Sequence, residues 1–291
     1  MLTIVAIAIA YYSPYGYNGY NGYAPRRSNR YSHAPARYYG RKAQHYRSVK
    51  SPRYSTLLES PKTATNPYNI HQSKAIERCV KKNQIAFSLA GGPTNAVTPE
   101  SIMKLKELNV PATYFQIDNS LKQESNSVNL MNDALKERPD LFTVGIHGWE
   151  DDSTNELFRP HTAGELQKLA QTSMDLMYNA YGKKVRYYRP KHGKFDNSSL
   201  SAWNDMGLVV INWSINSYDW KYPHNATAVT IEIQKNMDRD GPQSSHIMLC
   251  HDFERICTVD MITTVVSDFK AKGYTFVSME ECLGGIKPYR Q

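Results

Sequence analysis

From residue 84 onward the apolar positions of this chain fall into two alternating rhythms. Short runs that are almost continuously apolar occur at QIAFSL (84–89), ATYFQI (112–117), LFTVGI (141–146), VRYYR (185–189), LVVINWS (208–214), HIMLCH (246–251) and YTFVSM (274–279). That is the pattern of strands buried on both faces. Between them lie longer segments whose apolar residues recur at intervals of three and four, at 98–109, 127–139, 162–182, 197–207, 227–239 and 259–273. In the first of these the apolar residues are Ile102, Met103, Leu105 and Leu108, with Thr98 and Pro99 as the expected cap and first turn. Seven strands alternating with helices predict an α/β domain with parallel strands and crossover helices.

Composition divides the chain in two. Residues 11–62 hold ten Lys or Arg against one acid, Glu59, and eleven of the 21 tyrosines; the whole chain is +8, so the rest is close to neutral. YGYNGYNGY (15–23) is a short Gly/Asn/Tyr repeat, followed by Arg-rich sequence broken by prolines and lacking apolar periodicity. Such a segment cannot bury enough apolar surface to offset its ordering entropy, so a disordered basic Tyr-rich tail is expected over 11–66, with the folded domain over 67–291. Residues 1–10 are apolar and end in Ala8, Ile9 and Ala10, the small-residue spacing of a signal-peptide cleavage site, although no basic residue precedes the apolar stretch. The stretch is too short to span a bilayer.

Five motifs sit at predicted strand ends or in the loops that follow. They are SLAGGP (88–93), VGIHGWEDD (144–152), RYYRPKHG (186–193), NWSINSYDWKY (212–222) and HIMLCHDF (246–253). In order and spacing they resemble the polysaccharide deacetylase family, the carbohydrate esterases that include chitin and peptidoglycan deacetylases. The family's corresponding patterns are TFDDGP, IGNHTWSH, RFFRPPYG, DxxDW and LxHD. The resemblance implies an irregular (β/α) barrel with its site at the C-terminal ends of the strands.

Carried over position by position, the resemblance implies a site with parts missing. Ala90 stands where the family has its catalytic base, and Gly91 where it has a metal-ligating aspartate. His147 keeps the first ligand histidine, while Asp151 replaces the second. Arg189 keeps the groove arginine, His192 replaces a tyrosine, and Asn216 stands at the carboxylate expected to tune the acid. Asp219 and Trp220 are retained, and His251 keeps the place of the general acid. Amide hydrolysis of this type uses a Lewis acid, a base for the attacking water and an acid for the leaving amine. A glycine side chain ligates nothing, and an alanine accepts no proton. The expectation is a vestigial acid at His251, a degenerate metal site at His147 and Asp151, and no resident metal. Zinc or another divalent ion would belong to the alternative in which His147, Asp151 and Asp152 form a rearranged site, or in which a nearby carboxylate such as Asp118 or Asp152 moves into the vacated place. Arg189 would either contact sugar or pair with Asp219 or another acid.

The resemblance to the fungal-type chitin deacetylases also implies a disulfide between Cys79 and Cys282, which flank the first and last strands. Cys250 and Cys257 could pair with each other or remain buried thiols. Sequons at Asn197, Asn212 and Asn225 fit secretion, with Asn212 inside a predicted buried strand. The resulting expectation is a secreted, wall-associated protein without catalysis that binds chitin or a related polysaccharide through Trp149, Trp220, Arg189 and His192. Its tail would contact other wall proteins. Two alternatives are an active metal-dependent deacetylase and a nucleic-acid binder acting through the tail; secretion would set the second aside.

Overall fold

The structure, a computed structural model, describes residues 72–148, 161–222, 225–253 and 259–290. The expected signal peptide and tail, Trp149, Asp151, Asp152 and Cys257 lie outside the described residues. The elements alternate β1 Gln84–Ala90, α1 Thr98–Glu107, β2 Ala112–Gln116, α2 Asp118–Gln123, α3 Ser125–Glu137, β3 Phe142–Gly148, α4 Ala163–Tyr181, β4 Tyr187–Pro190, α5 Asn197–Asp205, β5 Val209–Val210, β6 Ile215–Asn216, α6 Ala226–Asp240, β7 His246–His251, α7 Val259–Ala271, β8 Thr275–Phe276 and α8 Met279–Cys282. Every strand pair is parallel, and the sheet runs β5-β4-β3-β2-β1-β7-β6, with β8 paired to β1. The predicted parallel α/β architecture is therefore the observed one.

The period-2 alternation of side chains gives the curled sheet two buried faces. Ile85, Phe87 and Leu89 of β1 join the large outer cluster, together with α1 and α7 residues such as Ile102, Leu105, Ile262 and Val266. Ala86 and Ala90 point the other way, into a smaller inner cluster with Phe115, Tyr187, Ile211, Ile247 and Leu249. The helices thus cover the outside while the inner residues fill the barrel.

The single strand expected over 208–214 is broken. Its two halves lie on opposite edges of the sheet, β5 beside β4 and β6 beside β7. The backbone between them closes the gap without a β5-β6 ladder. Ile211 N–H donates to Tyr188 O, Asn212 N–H to Ile76 O, and Ser214 N–H to Ile247 O, at 2.8–3.0 Å. On the same edge, Gln72 donates through Nε2 to Val210 O at 3.0 Å, and its Oε1 accepts from Val210 N–H at 2.6 Å. A side chain here takes the place of a neighbouring strand.

Two local expectations also change. Thr98 does not cap α1; the N-cap is Val97, without a side-chain cap. Its hydroxyl instead accepts from Thr94 N–H at 2.8 Å and donates to Asp252 at 2.7 Å. Met103 is 62% exposed, so the buried stripe of α1 is carried by Ile102 and Leu105. At the barrel's other end Cys79 and Cys282 are joined by a disulfide across 203 positions, as the resemblance implied. Cys250 is a buried free thiol, and Cys257, the partner considered for it, lies outside the described residues.

Candidate functional site

The C-terminal ends of β1, β2, β3, β4, β6 and β7 converge on one rim, and the strand register fixes who meets whom. Ala90 lies opposite Phe115 on β2 and opposite His251 on β7, and His147 on β3 lies opposite Arg189 on β4. The structure thus brings Ala90, His147, Arg189, Asp219 and His251 together. Ala90 is 1% exposed and presents a methyl group where a base would project.

His251 is better supported than the sequence indicated. Its Nδ1 lies 2.5 Å from Asp219 Oδ1, and its backbone N–H donates to Asp219 Oδ2 at 2.7 Å. Asp219 is fully buried and opens a 3-10 turn, Asp219–Lys221, after Tyr218 in the left-handed region at φ +53°. Asn216 was expected to deprive the acid of its carboxylate. It does not, because the partner comes from Asp219, three residues on. Asn216 Oδ1 instead accepts from Tyr218 N–H at 2.9 Å and shapes the turn.

Arg189 corrects both of its expectations. It is fully buried, so it lies beneath the groove rather than in its wall, and among the described residues it pairs with no carboxylate. Its guanidinium stacks over Phe115 at 4.0 Å and faces Trp213 at 5.5 Å. Nη2 donates to Ser88 Oγ at 2.9 Å and Asn212 O at 3.3 Å, Nε donates to Ile211 O at 3.3 Å, and Nη1 has no partner. Burial pushes the group down to about 9.

The glycine at 91 is more than a missing ligand. Its φ is +96°, a conformation L side chains rarely adopt, and a Cβ there would lie 2.4 Å from Cδ1 of Phe253. Phe253 is 44% exposed and sets its ring edge-on against His251, with centroids 5.1 Å apart. The space that a side chain at 91 would need is filled by an aromatic ring. Phe253 closes the HIMLCHDF motif, two residues after His251, but neither its period nor that motif signals that its ring meets position 91.

His147 is buried and its Nδ1 lies 3.1 Å from Arg189 O, an acceptor-only partner that makes Nδ1 the protonated nitrogen. Burial pushes its imidazole down to about 3. A hydrolytic metal takes three protein ligands. Of the three positions the resemblance nominates, only His147 carries a donor among the described residues, Gly91 has none, and Phe253 stands over that place. The described residues do not fit a resident metal. Asp118 opens α2 beyond the end of β2. His192 is exposed, at φ +54° in the 3-10 turn Lys191–Gly193, and burial followed by Lys191 and Lys194 lowers its pKa. Trp220 is 50% exposed, with Tyr218 at 6.3 Å between ring centroids. Asn212, by contrast, is 7% exposed, and its Nδ2 donates to Gly193 O at 3.0 Å.

Beside the rim, Asp252 is 1% exposed and is held by Thr98 at 2.7 Å and Ser101 at 3.5 Å. Burial pushes its carboxyl up to about 8, against those two hydrogen bonds. A folded-state pKa above the unfolded one stabilises the fold at low pH, and the stabilisation is lost as pH rises through the folded value. His246 and His147, pushed down to about 4 and about 3 by burial, act oppositely, each adding stability as pH rises until the ordinary histidine value of about 6.5 is passed. Between pH 6.5 and 8 Asp252 therefore lowers stability by about 2 kcal/mol, and the smaller gain from His147 and His246 leaves a net fall of about 1 kcal/mol. Urea unfolding across that range measures it. Asp252→Asn should abolish the fall and leave the slight rise that the buried histidines give, and an unchanged slope would show that Asp252 does not titrate in this range.

Residues 77–211 match the family model described as polysaccharide deacetylase. Among curated relatives, the peptidoglycan-N-acetylglucosamine deacetylase of Listeria monocytogenes is 26% identical over 209 residues, 72% of this chain. The chain spans only 41% of that relative's length. Among solved structures, the chitin deacetylase of Colletotrichum lindemuthianum is similar with a TM-score of 0.64 at 22% identity, covering 75% of this chain and 95% of that one. A CE4-family pseudoenzyme from Bacillus anthracis is similar with a TM-score of 0.59 at 20% identity, covering 70% of this chain and 66% of that one. At these identities the structural likenesses show the fold.

Proposed function

This chain belongs to the polysaccharide deacetylase family, and on that premise we propose that it is a member that binds N-acetylglucosamine polymers of the chitin type without hydrolysing them. The observation that carries the reading is the Phe253 ring, lying where a side chain at Gly91 would have to stand. With Ala90 beside it, the water-activating half of the reaction lacks a ligand side chain at 91 and a base at 90. The binding half keeps exposed apolar surface at the rim, in Trp220 and Phe253, with the half-buried Tyr218 ring beside Trp220. Aromatic rings offer flat faces on which sugar rings stack, and the indole and phenol add hydrogen-bonding tips. The Cys79–Cys282 disulfide fits an oxidising compartment, and with it a secreted or wall location. Among the described residues no helix is long and apolar enough to cross a membrane. The basic tail over 11–66 would then contact other wall components.

The test is to incubate pure protein with chitin oligomers and divalent ions and to follow acetate release and oligomer affinity together. We expect saturable binding with no acetate, and for Trp220→Ala a loss of affinity of roughly tenfold. Metal-dependent acetate release that disappears in His147→Ala would replace this reading with the active-deacetylase one. That second reading has one observation in its favour, the intact His251–Asp219 pair at 2.5 Å. An acid held ready to protonate a leaving amine is half of a hydrolase.

A further inference from the structure

Arg189 sets an unbalanced charge inside the barrel. The side chain is fully buried, and the three oxygens it bonds among the described residues are neutral: the Ser88 hydroxyl and the carbonyls of Ile211 and Asn212. A buried cation without an anionic partner costs several kcal/mol, more than the two aromatic faces at 4.0 and 5.5 Å return. Among the described residues the other charged groups of the rim do not answer it. Asp219 is committed to His251 by two contacts of 2.5 and 2.7 Å, and Asp252 is held by Thr98 and Ser101. The remaining donor, Nη1, is buried and has no hydrogen-bond partner. Its surroundings are also defined. Ser88 and Ala90 face the barrel interior two residues apart on β1, Arg189 bonds the first, and Phe115, over which it stacks, is the register partner of the second. The guanidinium therefore lies against the position where alanine ends one carboxyl group short of aspartate.

We propose that Arg189, through Nη1 and beside the methyl of Ala90, forms a binding site for one small monovalent anion the size of a carboxylate group. The class includes formate, acetate and chloride, as well as the carboxylate of an acidic sugar reaching in from the rim. A planar guanidinium offers parallel N–H donors that suit a carboxylate better than a spherical ion. The order expected is formate and acetate ahead of chloride. The anion supplies in trans the charge that the chain lacks in cis, so it binds the folded state alone and stabilises it by mass action. The proposal does not depend on glycan binding at the rim.

The experiment uses the full chain at constant ionic strength, with a bulky sulfonate as the background anion. Formate, acetate, chloride or glucuronate replaces the sulfonate stepwise while the unfolding midpoint is followed. At five times the half-saturating concentration of formate the midpoint should rise by about 2–4 °C and then level off. Glucuronate acting at lower concentration than acetate would identify a sugar carboxylate as the occupant; equal or weaker action would identify a free small anion. In Ala90→Asp the new carboxylate should satisfy Arg189, raise the midpoint in sulfonate alone and abolish the formate response. Should that variant fold poorly, Arg189→Met removes the cation and must also abolish the response. A midpoint that rises linearly with every anion, or equally in Arg189→Met, would overturn the site.

Discussion

Replacing Cys79 and Cys282 by serine lowers the unfolding midpoint by about 10–20 °C, the largest stability change expected from any pair of substitutions in this chain. The bond closes a loop of 203 positions, and cross-linking so long a loop removes about 5 kcal/mol of entropy from the unfolded chain in the simple model. The folded state has little to put in its place. β8 meets β1 through two register pairs, Gln84 with Thr275 and Ile85 with Phe276. Around the bridge, Val80 N–H donates to Cys282 O at 2.9 Å, and Gln84 Nε2 to Glu281 at 2.9 Å. These bonds hold the lead-in to α8 but leave the ends of the barrel free to separate together once the cross-link is gone. Reduced wild type and the double serine variant should unfold at the same midpoint by circular dichroism. A drop of only a degree or two would mean that the unfolded chain is already compact across this loop, so that the bond constrains little.

What the sequence disclosed, and what it concealed, follows from the range over which each feature is decided. β1, β7 and the long helices were legible because their side-chain period is a local consequence of burial on one or two faces. α2 was missed because Asp118–Gln123 is a short polar helix with no buried residue, and so carries no period. The split of 208–214 into β5 and β6 was invisible for another reason. Every residue from Leu208 to Asn212 is buried whether the chain stays on one edge or crosses to the other, so hydropathy cannot distinguish the two courses. At the site, residue identities were legible but their pairings were not. Asp219 and Asn216 are both three-dimensional candidates for His251, and only the left-handed turn at Tyr218 selects Asp219. Arg189 looked like a surface contact because arginine usually is one. Its burial comes from Phe115, Ile211 and Trp213, supplied by two other segments.

The second large effect concerns repair of the vacated site. Ala90→Asp, Gly91→Asp and Asp151→His together restore the family's donor types, yet they are expected to bind zinc weakly, because Phe253 holds the space that a carboxylate side chain at position 91 requires. A Cβ at 91 falls 2.4 Å from Cδ1 and 2.8 Å from Cε1 of that ring, inside any tolerable contact. The backbone adds to the difficulty, since a non-glycine residue at φ +96° is strained by about 1–3 kcal/mol. The ring can swing outward, being 44% exposed, but it must give up its edge contact with His251 to do so. Relieving such overpacking is worth about 1–3 kcal/mol. Adding Phe253→Ala to the three substitutions should therefore tighten zinc binding by on the order of 10- to 100-fold, measured by titration calorimetry on the two variants side by side. Ala90→Asp contributes separately, because Arg189 lies ready to hold its carboxylate and needs no rearrangement of the ring. Equal zinc affinity with and without Phe253 would show that the ring moves at no cost. The loss of the ligand would then be a single-residue change, and the fold around it would still be shaped for the ion. A gap of the expected size would mean that the change at 91 and the placement of Phe253 form one unit. Reversing the glycine alone would then recover neither the site nor its chemistry.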